Sequence, residues 1–532
     1  MSDALFTEYA PKQPIPNILN FGRPDKPFRQ VQIEALEWFA KNYDDFDVFV
    51  IEAPTATGKS MIVTTIAQFL AAMKQRSSVI TPTKLLQDQY LRDFNDIPVL
   101  KGMSSYPCSA MGLDGSCRDT KQRLGQCCTA GKDEPPICDY LIARAEAAAA
   151  TTALFNFHSY YANKMYKNVL IADEAHNAIS FLLDFYALKL WKCEVDYEDD
   201  IQLNGQGIKK LVEKTINSLQ MHLIDLQSQG AENKTAEKVE NEIERLGYVR
   251  DSIERFKDDL LIQKDTAEYF GNMKELRKTK QEHIYVKPVR VDKIGGDFLW
   301  PKQVNKIVLL SATISDLDVK RLGLDAGKRV AYYRCDSPIP ANRRPFFLAP
   351  VASMKYDNRA KSFPRIITAI QMLAKHHHDQ KGVIHCTYDS AQKLKAVVGK
   401  DPRYWFHDKF NKTEVYNRFR AMPGNQILVA SGMEEGIDLA FDAGRWQVIT
   451  QLMRPNVEDK VNKWMYQNDR TTYNWETIRK IIQQTGRICR DPADFGVTYM
   501  LDSEFEYFYG TTGPLWPQWF KDGMLKINLN VP

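Results

Sequence analysis

Nowhere in its 532 residues does the chain contain an apolar run approaching the ~20 positions that cross a bilayer, so no membrane association is expected. Its first residues, Met-Ser-Asp-Ala-Leu-Phe, lack the basic-then-apolar layout of a secretory signal, which leads us to expect a cytoplasmic, reducing location. Charge of one sign is also missing. With 71 basic and 67 acidic residues the net charge is only +4, so bulk electrostatics gives no argument for nucleic acid, although a local basic groove is permitted. There is no repeat of 20–50 residues and no low-complexity tail, which excludes solenoid arrays and long disordered arms. The nine cysteines include no C-x₂₋₄-C knuckle of the kind structural zinc prefers. What remains is an ordinary soluble composition, 44% hydrophobic and 26% charged, in a chain too long for one core; two to four domains are expected.

The first chemical signal is a phosphate loop. Val48 to Ile51 reads as a buried strand, Ala53-Pro-Thr55-Ala-Thr57-Gly58-Lys59-Ser60 follows, and Met61 to Met73 has apolar residues at helical spacing. In that context the loop N–H groups and the helix N-terminus face phosphate oxygens. Lys59 then places its charge between the β- and γ-phosphates of ATP, and the Ser60 hydroxyl ligates Mg²⁺. Ala53 replaces the usual first glycine, at a position that shapes the loop entry without touching the transferred phosphate.

Its partner lies downstream, where the apolar run Val169 to Ala172 ends in Asp173-Glu174-Ala175-His176. An aspartate at the end of a strand suits magnesium held through water, and the adjacent Glu174 suits the attacking water. Ala175 is small, and His176 is placed to couple the nucleotide site to a neighbouring element. Far along the chain, Gln483-Gln-Thr-Gly486-Arg487-Ile-Cys-Arg490 offers two guanidiniums at i and i+3, predicted to share one helix face and to stabilise a γ-phosphate in transit. Gln483, one turn earlier, would orient the water or sense the phosphate. Because these groups are remote from Lys59, the site has to close between two domains, and closure turns hydrolysis into motion.

Between the two nucleotide motifs stand Cys108, Cys117, Cys127, Cys128 and Cys138. Four thiolates on an irregular loop could hold a [4Fe–4S] cluster or zinc, and the wide spacing favours iron–sulfur. Cys127 and Cys128 are too close for both to be ligands; Cys128 is taken with Cys127 as its alternate. The other four cysteines read as isolated core residues, and His376-His377-His378 as a solvated helix end.

Asp-Glu-Ala-His with Leu310-Ser311-Ala312-Thr313 downstream resembles superfamily 2 helicases, and the cysteines between the nucleotide motifs resemble the XPD/DinG branch, the iron–sulfur helicases. Further elements follow in that family's order. They are Phe28-Arg29-Gln30-Val31-Gln32, Thr81-Pro-Thr-Lys-Leu-Leu-Gln87-Asp-Gln89, Lys101 to Cys108, Asn156-Phe-His158, Gly382 to Ser390 and Glu435-Gly436-Ile437-Asp438. The resemblance implies that Arg29 and Gln32 contact the adenine side, that Glu435 and Asp438 belong to the nucleotide site, and that the cluster domain is a rigid wedge beside the DNA path. It also implies translocation 5′ to 3′.

The expected fold is α/β, with two RecA-like parallel-sheet motor domains and two insertions. The first motor domain takes residues 1–103, 146–180 and 284–335, interrupted by the cysteine domain at 104–145 and a helical Arch-like domain at 181–283. The second motor domain takes 336–532. From Gly207 to Thr279 there is no proline, and Leu and Ile recur at three- and four-residue steps among charges, predicting two or three antiparallel helices; a partner-binding insert is the plainer alternative. Tyr106, Tyr140 and Trp446 are candidate base-stacking residues, with core packing as the alternative. The function expected is an ATP-driven DNA helicase acting on single-stranded and forked DNA as a monomer. Alternatives are an ATPase that remodels protein–nucleic-acid complexes or R-loops, and a non-motor iron–sulfur binding module.

Overall fold

The structure, a computed structural model, describes residues 15–94, 97–108, 116–117, 138–228, 233–257, 259–269, 279–433 and 437–531. Two fully parallel sheets dominate it. The first has seven strands in the order Val330–Arg334, Val48–Glu52, Lys306–Ser311, Val169–Asp173, Ser77–Thr81, Thr152–Asn156 and Val99–Leu100. Its strands are short β-branched and apolar runs, covered on both sides as parallel sheets require. Alternation divides each strand between two cores. Val48 and Val50 join Leu170, Ala172, Ile307 and Leu309 on one face, while Phe49 and Ile51 join Ile171, Val308 and Leu310 on the other.

Register decides where the chemistry falls. Glu52 pairs with Ser311 and Asp173 with Leu310, so the central strands end side by side and their following loops share one edge. Ligands of open α/β sheets bind outside those carboxyl ends.

The second sheet, also of seven parallel strands, runs Tyr404–Trp405, Ile427–Ser431, Gly382–Cys386, Trp446–Ile449, Val497–Asp502, Phe346–Ala352 and Met524–Lys526. Trp446 is fully buried in it, which removes that residue as a base-stacking platform. Gly382 makes room for it, since a Cβ there would lie 2.2 Å from the indole. His377 packs flat on the same indole at 5.2 Å and meets the Tyr499 hydroxyl at 3.0 Å. The histidine run is therefore partly core, not a solvated end; the local pattern hides this because the burying partners come from other strands.

The insertion between the first sheet's strands contains the antiparallel helices Gly205–Ser228 and Asn233–Phe256 over a three-stranded antiparallel sheet. Ile208, Leu211, Val212 and Ile216 face Leu246, Val249 and Ile253, the three- and four-residue spacing anticipated. The helical reading fails beyond Phe256. Leu260–Glu268 and Lys280–Pro288 are paired strands, Leu260 against Pro288 through Glu268 against Lys280. Only a few positions such as Ile284 and Val286 point inward, so the charged remainder shows no clear period. Lys280–Pro288 thus pairs within the insertion, and the chain rejoins the first sheet at Lys306.

Candidate active site

The loop from Ala53 to Ser60 leaves the buried strand Val48–Glu52 and enters the helix Lys59–Ala72. Ala53 is fully buried and its N–H donates to the Ser311 carbonyl at 2.9 Å, so the loop entry is fixed to the neighbouring strand without a glycine. Two residues take left-handed backbone, Ala56 at φ 71° and Gly58 at φ 79°. At Gly58 a Cβ would also come within 2.4 Å of Gln32 Nε2. Thr57 turns its hydroxyl inward to the Pro54 carbonyl at 2.7 Å.

Arg29 and Gln32, expected on the adenine side, hold the loop from outside. Gln32 Nε2 donates to the carbonyls of Thr57 at 2.8 Å and Gly58 at 3.3 Å, and its Oε1 accepts from Arg29 N–H at 2.9 Å. Arg29 donates to the Ala56 carbonyl and pairs with Asp491 at 3.3 Å. Bracing the carbonyls of Ala56, Thr57 and Gly58 fixes the loop backbone, as a phosphate cradle needs.

Lys59 Nζ lies 3.1 Å from Glu174 Oε1. Tyr90, from the helix Lys84–Asp93, donates to Asp173 Oδ2 at 2.9 Å and also hydrogen-bonds the Ser60 side chain. One phenol therefore gathers the two proposed magnesium-side groups. Nothing in the local sequence around Tyr90 flagged it, because its partners come from other strands. Burial raises the Asp173 carboxyl above the usual range, with the Glu174 charge adding to the effect. Burial acts the same way on Glu174, but the charges of Lys59, His176 and Arg487 outweigh it and hold that carboxyl low. The pair is thus split, with Glu174 the stronger acid and Asp173 the weaker. Glu174 also has left-handed backbone, φ 49°, a strain that fits a functional position.

The second lobe meets this cluster directly. His176 Nδ1 lies 2.7 Å from Ser311 Oγ, and its Nε2 lies 2.9 Å from Gln483 Nε2. Thr55 of the phosphate loop faces Gly486, where a Cβ would come within 2.6 Å of its hydroxyl. The two arginines do not lie on one helix face as predicted. The helix Arg470–Thr485 ends before them, Ile488 bridges to Leu439 instead, and Cys489 takes φ 57°. Arg487 donates to the Gln483 and Ile437 carbonyls at 2.8 and 3.3 Å, and its charge reaches Glu174. Arg490 pairs with Asp438 at 3.4 Å, which brings together two residues singled out separately. Glu435 lies outside the described residues.

Cys108, Cys117 and Cys138 are buried and share one apolar cluster with Tyr106 and Tyr140. Among the described residues no three metal-ligating side chains converge. The described thiols do not build a metal site alone; Cys127 and Cys128 lie outside the described residues. The Tyr140 hydroxyl bonds Asn163 at 2.9 Å, and the Tyr106 hydroxyl accepts from Lys101 N–H at 3.0 Å.

Residues 25–186 match the family described as type III restriction enzyme, res subunit, and residues 368–522 match the helicase C-terminal domain. A probable ATP-dependent helicase of Methanocaldococcus jannaschii is 22% identical, over 87% of this chain and 89% of its own length. Among solved structures, an XPD helicase aligns with TM-score 0.59 at 14% identity, over 94% of this chain and all of the other. Xpd4 of S. tokodaii gives TM-score 0.55 at 13% identity, over 94% of this chain and 100% of its own. The chain is an ATP hydrolase of the helicase kind, and its fold is similar to that of XPD. In this helicase the first lobe supplies its half of the site at the carboxyl ends of parallel strands, and the second lobe brings Gln483 from the helix Arg470–Thr485 and Arg487 and Arg490 from the segment after it. No helix among the described residues is long and apolar enough to cross a membrane.

Proposed function

We propose that this helicase is a DNA translocase, moving 5′ to 3′ along one strand and parting forked duplexes, with residues 104–145 as a strand-separating wedge and 181–283 as an Arch over the strand. The support that carries the motor reading is the His176–Gln483 contact at 2.9 Å, which ties the acid motif of one lobe to the arginine motif of the other. Lys59 neutralises phosphate charge, and Ser60 with Asp173 would hold magnesium. Their common tie to Tyr90 and the oxygen-only donor set fit a magnesium that keeps most of its ligands from water and phosphate. When bound, that ion supplies charge neutralisation to the phosphoryl oxygens. Glu174, held ionised, takes the proton of the attacking water, while Gln483 orients it and Arg487 meets the developing charge. Arg490, with Asp438, keeps the second-lobe loop in place.

The [4Fe–4S] reading rests on the spacing of five cysteines and on the family resemblance. Anaerobic purification with iron analysis tests it: about four irons per chain support it, and none excludes it. The DNA reading is tested by ATP turnover with single-stranded DNA and RNA of the same sequence. Stimulation by DNA supports it; stimulation by RNA alone overturns it.

A further inference from the structure

One face of the helix Arg470–Thr485 carries charged and polar groups into the seam between the lobes. Glu476, Arg479 and Gln483 fall at i, i+3 and i+7, on one side, and all three reach into the first lobe. Glu476 Oε1 takes Arg321 Nη1 at 2.5 Å and Arg479 Nη1 at 2.9 Å, so a single carboxylate joins one guanidinium from each lobe. Arg479 also pairs with Asp318 and donates to the Thr313 carbonyl at 3.3 Å. Asp318 is fully buried and further bound by the Trp475 indole N–H at 3.2 Å and Ser315 N–H at 2.9 Å.

Continuity with the nucleotide site is direct. Asp318 and Thr313 follow Ser311, whose hydroxyl touches both His176 and Glu174, at 2.7 and 3.3 Å. The same helix that holds Glu476 and Arg479 holds Gln483 against His176. Behind that contact lies a cavity of about 280 Å³ lined by Arg321, Glu476, Arg479, Lys480 and Asn177. The charges of Arg479 and Arg321 outweigh burial and hold the Glu476 carboxyl down at about 2, so it stays ionised at the seam.

Apolar surfaces stick in many registers, whereas directional buried ion pairs are satisfied in one and fail together when one partner leaves. We propose that Glu476, Arg479, Arg321 and Asp318 form a charge latch across the lobes, positioning residues that set the register in which Gln483 engages His176, and so tie the hydrolytic state of the site to lobe closure. The inference rests on the motor reading above and adds the element through which closure is sensed. The latch touches neither nucleotide nor the proposed magnesium groups, so its loss lowers turnover and leaves nucleotide affinity intact.

The test uses the full chain with Arg321→Gln, Arg321→Lys, Glu476→Gln and the Arg321→Gln/Glu476→Gln double variant. Steady-state ATP hydrolysis is measured with saturating single-stranded DNA, alongside binding of a fluorescent ATP analogue. Arg321→Gln and Glu476→Gln are each expected to lower kcat tenfold or more with KM for ATP within twofold, and the double variant to be no worse than the worse single. Arg321→Lys should recover part of the loss. Multiplicative losses, a raised KM at unchanged kcat, or unaffected turnover would overturn the latch. If Glu476→Gln fails to bind the analogue, the partly exposed Arg321 variants decide alone, through the same kcat and KM split. Wild-type protein without DNA-stimulated hydrolysis would instead sink the motor reading, a result separable from any behaviour of the variants.

Discussion

Replacing Gln32 by alanine separates two ideas about how the nucleotide is held. Gln32 is buried, and its amide makes three hydrogen bonds, two to loop carbonyls and one from Arg29 N–H. At about 1 kcal/mol net per bond, the change should cost about 3 kcal/mol, and more where the buried Thr57 carbonyl finds no new partner. Most of that cost falls on the loop's cradle conformation. With about 1.4 kcal/mol per factor of ten, nucleotide affinity should drop about 100-fold. A brace acts on the loop, so ATP and GTP should weaken equally; an adenine contact would weaken ATP alone. Fluorescent nucleotide titration with competition by each triphosphate, together with urea unfolding, reads both quantities. ATP affinity within about threefold of wild type, or a loss confined to ATP over GTP, would refute the bracing argument.

Glu174→Gln should lower kcat about 10²–10⁴-fold while nucleotide still binds, because the base is lost and Lys59 is freed of its 3.1 Å partner; a turnover assay showing less than a threefold loss contradicts the role. Asp173 has a raised folded-state pKa, so the stability it contributes is present below the ordinary aspartate range and lost as pH rises through the raised value. Magnesium needs the ionised form, so calorimetric magnesium affinity with nucleotide bound should climb across that same interval, and Glu174→Gln, which removes the like charge, should move the climb to lower pH. A pH-independent affinity there would count against the pairing. Cys108→Ser should remove visible absorbance from anaerobically prepared protein and impair unwinding more than ATP hydrolysis; colour retained after the change would reject Cys108 as a ligand.

The phosphate loop was legible because its signal is local: an apolar strand, a fixed run of small residues, then a helix. Asp173 and Glu174 were readable for the same reason, at the end of a wholly apolar strand. What escaped is non-local. Tyr90 acts through partners on other strands, and the Glu476–Arg479–Asp318 set looks like ordinary surface charge until the second lobe is placed on the first. The arginine motif misled because i and i+3 spacing presumes a continuing helix, whereas Gly486 and the left-handed Cys489 end it. The strands at 260–268 and 280–288 were hidden by their charge, since an edge sheet exposed on much of its surface has no strict alternation to read.

Strand displacement on matched duplexes bearing a 5′ or a 3′ single-stranded tail, with Lys59→Ala as the control, tests the account most directly. The proposed two-lobe DNA motor predicts ATP-dependent displacement from the 5′-tailed substrate, none from the blunt duplex and none by the Lys59 variant. Displacement without ATP, equal activity of Lys59→Ala, or no displacement from any DNA substrate by an ATP-hydrolysing wild type would contradict it.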